Sequence, residues 1–176
     1  MNLHFILLFV TMEGFWCIAP IITALLATVL NVVCVSTNYW IQIGDATIGA
    51  HAGVWKFCVT FFDDGACASW KSDLSTLPAV KGLVLVSIIL AVFAVTFEVK
   101  AYLDKKYVYV CTQGATGITA LQGITLACGI FTYLAFVNNN DFGNEYNFSW
   151  SFALAWVAVG FYALAVIFFI VGLRKG

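Results

Sequence analysis

The sequence predicts a membrane fold: a left-handed-type bundle of four transmembrane helices with a small extracellular antiparallel β-sheet in the first outer loop and both termini cytoplasmic. Three observations predict it. Four uninterrupted apolar runs each reach the length that a bilayer requires. The basic residues gather in two connections on one side of those runs. Between the first two runs, the stretch from Trp40 to Cys67 is the one place outside a hydrophobic run where cysteines, tryptophans and turn residues occur together.

With 62% hydrophobic and 10% charged residues and a mean hydropathy of +0.97, the chain is far too apolar for a soluble domain, which needs roughly 25% charged residues. Lipid offers no partner for backbone N–H and C=O groups, so a helical span takes about 20 apolar residues. Runs at about 16–37, 78–99, 109–136 and 150–173 qualify. A β-barrel would show alternating segments, and Leu83 to Val95 does not alternate. A net charge of -1 and a pI of about 6.0 supply no basic field for nucleic acid.

Charge near the span ends sets the orientation. The link at about 100–108, with Lys100, Lys105 and Lys106, and the end of the chain, with Arg174 and Lys175, hold five of the eight basic residues and should face the cytoplasm. The connections at about 38–77 and 137–149 then lie outside. They carry Asp45, Asp63, Asp64, Asp73, Asp141 and Glu145 against Lys56 and Lys71, an acidic outer face. Of the six cysteines, Cys17, Cys34, Cys111 and Cys128 fall within spans and read as small buried apolar residues. Only Cys58 and Cys67 face the oxidising side, and compartment alone predicts a disulfide between them.

Residues 1–11 form an apolar leader without a basic n-region or a clean cleavage site, so it reads as an uncleaved extension, interfacial or continuing the first helix. Pro20 either opens the first span, where a missing N–H costs little, or kinks a longer helix. Thr37 to Gly44 and Val54 to Phe62 are rich in aromatic and β-branched residues in alternation, the pattern of strands. Asp63-Asp64-Gly65 is a hairpin signal. An isolated hairpin is marginal in water, so the staple and the helix ends beneath must stabilise this sheet.

Lys81 and Glu98 stand at the outer and inner ends of the second span, where each can snorkel to an interface. In the third span Thr116, Ala120, Gly123 and Ala127 make a stripe of small residues that lets another helix approach closely, a possible docking face. Gln113 and Gln122 of that span should bond to a neighbouring helix. The second outer loop contains one glycosylation triplet, Asn147-Phe148-Ser149, but Trp150 opens the fourth span at once and the membrane hinders the transferase. Trp150 suits an interfacial belt and Trp156 helix packing.

Chemistry needs convergence, and none is visible. A zinc site from His51, Cys58, Cys67 and Asp64 is excluded once the two cysteines are oxidised; His4 stands alone in the leader. No phosphate loop, no intramembrane carboxylate pair and no broken span marks an enzyme, a pump or a transporter. The reading is a protein without enzymatic activity, cofactor, small-molecule substrate or nucleic-acid partner. It sits in the lipid bilayer and binds like molecules or another integral membrane protein.

Trp40, then Gly53-Val54-Trp55-Lys56-Phe57-Cys58, then Cys67, resembles the W…G-L-W-x-x-C…C motif of the claudin and peripheral myelin protein superfamily, with Val54 in place of the usual Leu. Leu77-Pro-Ala-Val-Lys81-Gly-Leu83 resembles the outer start of that family's second helix, where a basic residue is common. Phe148 to Val159 is similar to the fourth helix of the peripheral myelin, epithelial membrane and lens fibre membrane branch, as are the short Trp40 to Gly53 spacing and the abrupt ending at Arg174-Lys175-Gly176. The match covers about residues 12–176. Residues 1–11 depart from it, as do the missing C-terminal Tyr-Val of many claudins and the uncharged Val59 and Ala68, where pore-forming claudins often place charge.

The resemblance implies a plasma-membrane tetraspan at cell–cell contacts, whose outer sheet engages other molecules through an apolar rim of Ile41, Ile43, Phe61 and Phe62. Two other implied roles are an auxiliary subunit of an ion channel or receptor, docking through the third helix, and a paracellular barrier or pore.

Overall fold

The computed structural model describes residues 3–44, 48–61, 64–70, 76–103, 108–139 and 146–175. Four helices, α1 (Leu3–Ser36), α2 (Leu77–Leu103), α3 (Val108–Asn139) and α4 (Trp150–Lys175), carry five strands: β1 (Ile41–Gly44), β2 (Ile48–Ala52), β3 (Lys56–Phe61), β4 (Asp64–Ser69) and β5 (Tyr146–Phe148). Each helix contains a stretch long and apolar enough to cross a bilayer: Ile18–Ser36, Leu77–Lys100, Thr112–Asn139 and Trp150–Gly172. From Leu3 onward the apolar leader continues the first helix, and Pro20 lies inside that helix and does not open it. Pro78 occupies the first turn of α2, where its missing N–H costs nothing.

α1 packs on α4, α2 packs on α3, and the α3–α4 seam joins the two pairs. Lipid tails are as apolar as leucine, so association rests on close fit and on polar contacts between helices. Small residues supply the fit. A Cβ at Gly129 would stand 3.2 Å from Val84, and one at Gly114 would stand 3.3 Å from the Phe97 ring. A Cβ at Gly123 would lie 3.1 Å from the Tyr162 Cβ. At that residue the stripe expected to receive another protein's helix is filled by this molecule's own α4, while Thr116, Ala120 and Ala127 are half-buried. The outward faces carry Ile22, Val29, Val92, Phe93, Ile124, Phe131 and Ile167.

All strands join one antiparallel sheet in the order β4-β3-β2-β1-β5. Register sorts its residues onto two faces. Ile41, Ala52, Phe57 and Ala68 form one cross-strand row, and Gln42, His51, Cys58 and Cys67 form the opposite row. Ile41 and Ala52 are buried with the helix core.

Several expectations need correction. The first strand begins at Ile41, because Thr37 to Trp40 turn the chain over the end of α1. The second expected strand begins at Lys56, because Val54 and Trp55 form a bend. The sheet has three strands that alternation did not reveal: β4, which takes in Asp64 and Gly65 of the expected turn, and β2 and β5. β2 carries glycine and two alanines and is held by pairing on both sides; β5 belongs to the second outer loop and closes the far edge against β1. Ile41 is fully buried and belongs to the core instead of an apolar rim; Phe62, like Asp45, Asp63, Lys71, Asp73, Asp141 and Glu145 of the outer loops and Lys105 and Lys106 of the inner link, lies outside the described residues. Glu98 does not snorkel: it is buried, and neither carboxylate oxygen has a hydrogen-bond partner among the described residues. Cys128 is exposed, facing away from the bundle, whereas Cys34 is buried.

Candidate functional site

The last four carbonyls of any helix lack intrahelical donors. At the outer end of α1 these groups are what seats the sheet. The Trp40 indole Nε1–H donates to the Cys34 carbonyl at 2.7 Å, and the Trp55 Nε1–H donates to the Val35 carbonyl at 2.8 Å. Both rings thus supply an apolar body and a single polar tip, which caps a helix end without bringing water to it. Trp40 is fully buried, with its ring 4.8 Å from Tyr133 and edge-on to Phe152. Its own backbone N–H donates to the Ala52 carbonyl, so one residue ties helix, sheet and bundle together.

Gly53 completes this seat. A Cβ there would stand 2.5 Å from the Thr37 carbonyl oxygen and 2.6 Å from the Asn38 Cα, both backbone atoms. No side chain fits, so the β2–β3 bend lies directly on the α1 terminus. Val54 is fully buried beside it. Trp70 is a residue that alternation and motif reasoning missed: its Nε1–H donates to the Gly53 carbonyl at 2.9 Å and its ring packs on Phe57 and Phe136. The available signal was a third tryptophan in a polar outer loop. Lys81, in the first turn and a half of α2, places its Nζ 5.8 Å from the centre of the Trp55 ring, a cation–π contact at the outer end of the bundle.

Cys58 of β3 and Cys67 of β4 are directly opposed and joined as a disulfide, with a Cα–Cα separation of 4.0 Å. Cys58 is buried and Cys67 exposed. With both sulfurs in that bond, neither is available to a zinc ion. In the same row, His51 stacks on Tyr39 with ring centroids 4.3 Å apart, and Tyr39 in turn lies against Trp150. Loss of water around the imidazole pushes the His51 pKa below its ordinary value. Of the positions after the two cysteines, Val59 is half-buried and Ala68 exposed, and neither is charged. Asn147 is exposed on the edge strand β5, opposite Gln42. Gln122 donates to Thr28 and Tyr162 on neighbouring helices, whereas Gln113 is exposed.

A family model described as PMP-22/EMP/MP20/Claudin matches residues 5–171, a span that contains the tryptophan seat and the cross-strand disulfide. The chain belongs to this family. Among curated relatives, the lens fiber membrane intrinsic protein of Homo sapiens is 26% identical over 157 residues, covering 86% of this chain and 87% of the relative. The same protein of Bos taurus is 27% identical over 161 residues, with the same shares. The claudin domain-containing protein 2 of Mus musculus is 28% identical over 148 residues, covering 80% of this chain and 77% of that one. The matched span, residues 5–171, contains Trp40, Gly53, Val54, Trp55, Cys58, Cys67 and Lys81, the residues of the α1 cap and the sheet staple.

Proposed function

We propose that this chain acts at cell–cell contacts of the plasma membrane, presenting its outer sheet to like molecules or to another integral membrane protein on the same or the apposed membrane. The observation that carries this reading is the way the sheet is held: two indole hydrogen bonds and a glycine contact fix it to the end of α1, a third indole bond braces the β2–β3 bend, and a disulfide fixes its outer hairpin. A surface so fixed loses little conformational freedom on binding, which favours recognition of a partner. Membership of the PMP-22/EMP/MP20/Claudin family is compatible with it.

The uncharged Val59 and Ala68 speak against a conducting paracellular pore. Gly123, packed within the bundle, speaks against a channel docking through the third-helix stripe. The test is expression in cells that do not adhere. Enrichment at contacts and clustering, both lost when Cys58 and Cys67 are replaced together by Ser, are expected. A uniform surface distribution of the intact chain would sink the reading, and recovery only in complex with a channel from mild detergent would favour the auxiliary-subunit role.

A further inference from the structure

At bilayer depth, one polar side chain or more from every helix meets in the bundle interior. Asn31 of α1 donates from Nδ2 to Ser87 Oγ of α2 at 3.0 Å and to Tyr162 Oη of α4 at 3.4 Å. Gln122 of α3 donates from Nε2 to the same Tyr162 oxygen at 2.6 Å and to Thr28 Oγ1 at 3.3 Å. Tyr162 donates onward to Thr28, which donates to the Ala24 carbonyl, and Ser87 donates to the Val84 carbonyl. Asn31 and Ser87 are fully buried, and their bond ties α1 directly to α2.

The hydrogens of this cluster are all committed. Both amide hydrogens of Asn31, both of Gln122, and the hydroxyl hydrogens of Tyr162, Thr28 and Ser87 have acceptors. One acceptor, Asn31 Oδ1, is buried with no donor among the described residues. Rotating the amide by half a turn exchanges one orphan for two: the oxygen could then accept from a neighbouring hydroxyl, but both hydrogens of the NH2 would lose their acceptors. A second anomaly lies on α3, one turn before Gln122. Thr23, Thr28, Thr96, Thr116, Thr125 and Thr132 each donate to the carbonyl four residues back, whereas Thr119 is fully buried and its hydroxyl has no partner among the described residues. A helical threonine that forgoes that bond has its hydroxyl aimed elsewhere.

We infer that the bundle interior binds water at this cluster, with a water hydrogen donated to Asn31 Oδ1. A buried amide oxygen without a donor costs about 1–3 kcal/mol, and lipid tails have no donor to offer. Water is the small donor that a site of this polarity selects, since one of its hydrogens can go to the amide oxygen and the other to the oxygen of a neighbouring hydroxyl. The seam between the α1–α4 pair and the α2–α3 pair is therefore a wet polar joint.

The test is water-edited NMR on the full chain in lipid nanodiscs. Transfer of water polarisation to the Asn31 side-chain NH2 should be several-fold faster than to the amides of Ala27 and Leu126, which are equally shielded from the outside. Asn31→Leu should then slow transfer to the Gln122 side chain. Transfer to Asn31 no faster than to Ala27 overturns the inference. Because that comparison uses the unaltered protein, a variant that fails to fold does not leave the matter open.

Discussion

At the scale of single residues, the seat of the sheet turns on atoms that the sequence names but does not place. Gly53 and Trp55 show the difference. Each is recognisable by its motif, yet only the contact distances explain why glycine and an indole are required. A Cβ at Gly53 would displace backbone that cannot move freely, so Gly53→Ala should destabilise the outer sheet by about 1–3 kcal/mol and lower the detergent melting temperature. His51 makes a prediction of opposite kind. Its pKa is lower in the folded protein than in the unfolded chain, so the unfolded state binds the proton first as pH falls. Stability should be level above about pH 6.5, the ordinary histidine value, and should decline as pH drops through it toward the folded value. Thermal melts of the outer sheet from pH 8 to pH 5 check this, and His51→Phe should flatten the slope.

At the scale of elements, the helices were legible and part of the sheet was not. A span is declared by some twenty apolar residues in a row, a local property, and each of the four runs became a helix. β2 is Ile48-Gly49-Ala50-His51-Ala52, weak by local propensity, and becomes a strand because β1 and β3 satisfy its backbone from both sides. β5 lies about a hundred residues from its partner β1, so no local pattern could announce it. The outer β3–β4 hairpin depends most on its staple, since β4 is an edge strand whose residues from Gly65 to Ser69 are exposed. Replacing Cys58 and Cys67 together by Ser should cost about 2–5 kcal/mol, read as faster proteolysis within the first outer loop. The four spans should stay protected, because their burial does not involve that bond.

At the scale of the whole molecule, two helix pairs are held by a tight α3–α4 seam and by the polar cluster of Asn31, Ser87, Gln122, Tyr162 and Thr28. Tyr162→Phe should strand two donors, Asn31 Nδ2 and Gln122 Nε2, at a cost of about 1–3 kcal/mol each; unfolding in mixed micelles with increasing denaturing detergent measures it. The same phenylalanine leaves the ring over Gly123 in place, so close packing is kept and the loss reports the hydroxyl alone. The amino-acid sequence by itself determined the membrane class, the four spans, the oxidised cysteine pair and the family, because each follows from composition, run length or a motif read along the chain. Only the tertiary structure decided which groups meet: that tryptophans cap α1, that Trp70 belongs to the seat, that Gly123 faces its own bundle, that Glu98 is buried, and that one polar residue from each helix converges. Those facts depend on which helix faces align across the bundle, and in an apolar solvent hydrophobic periodicity carries no information about which face turns inward.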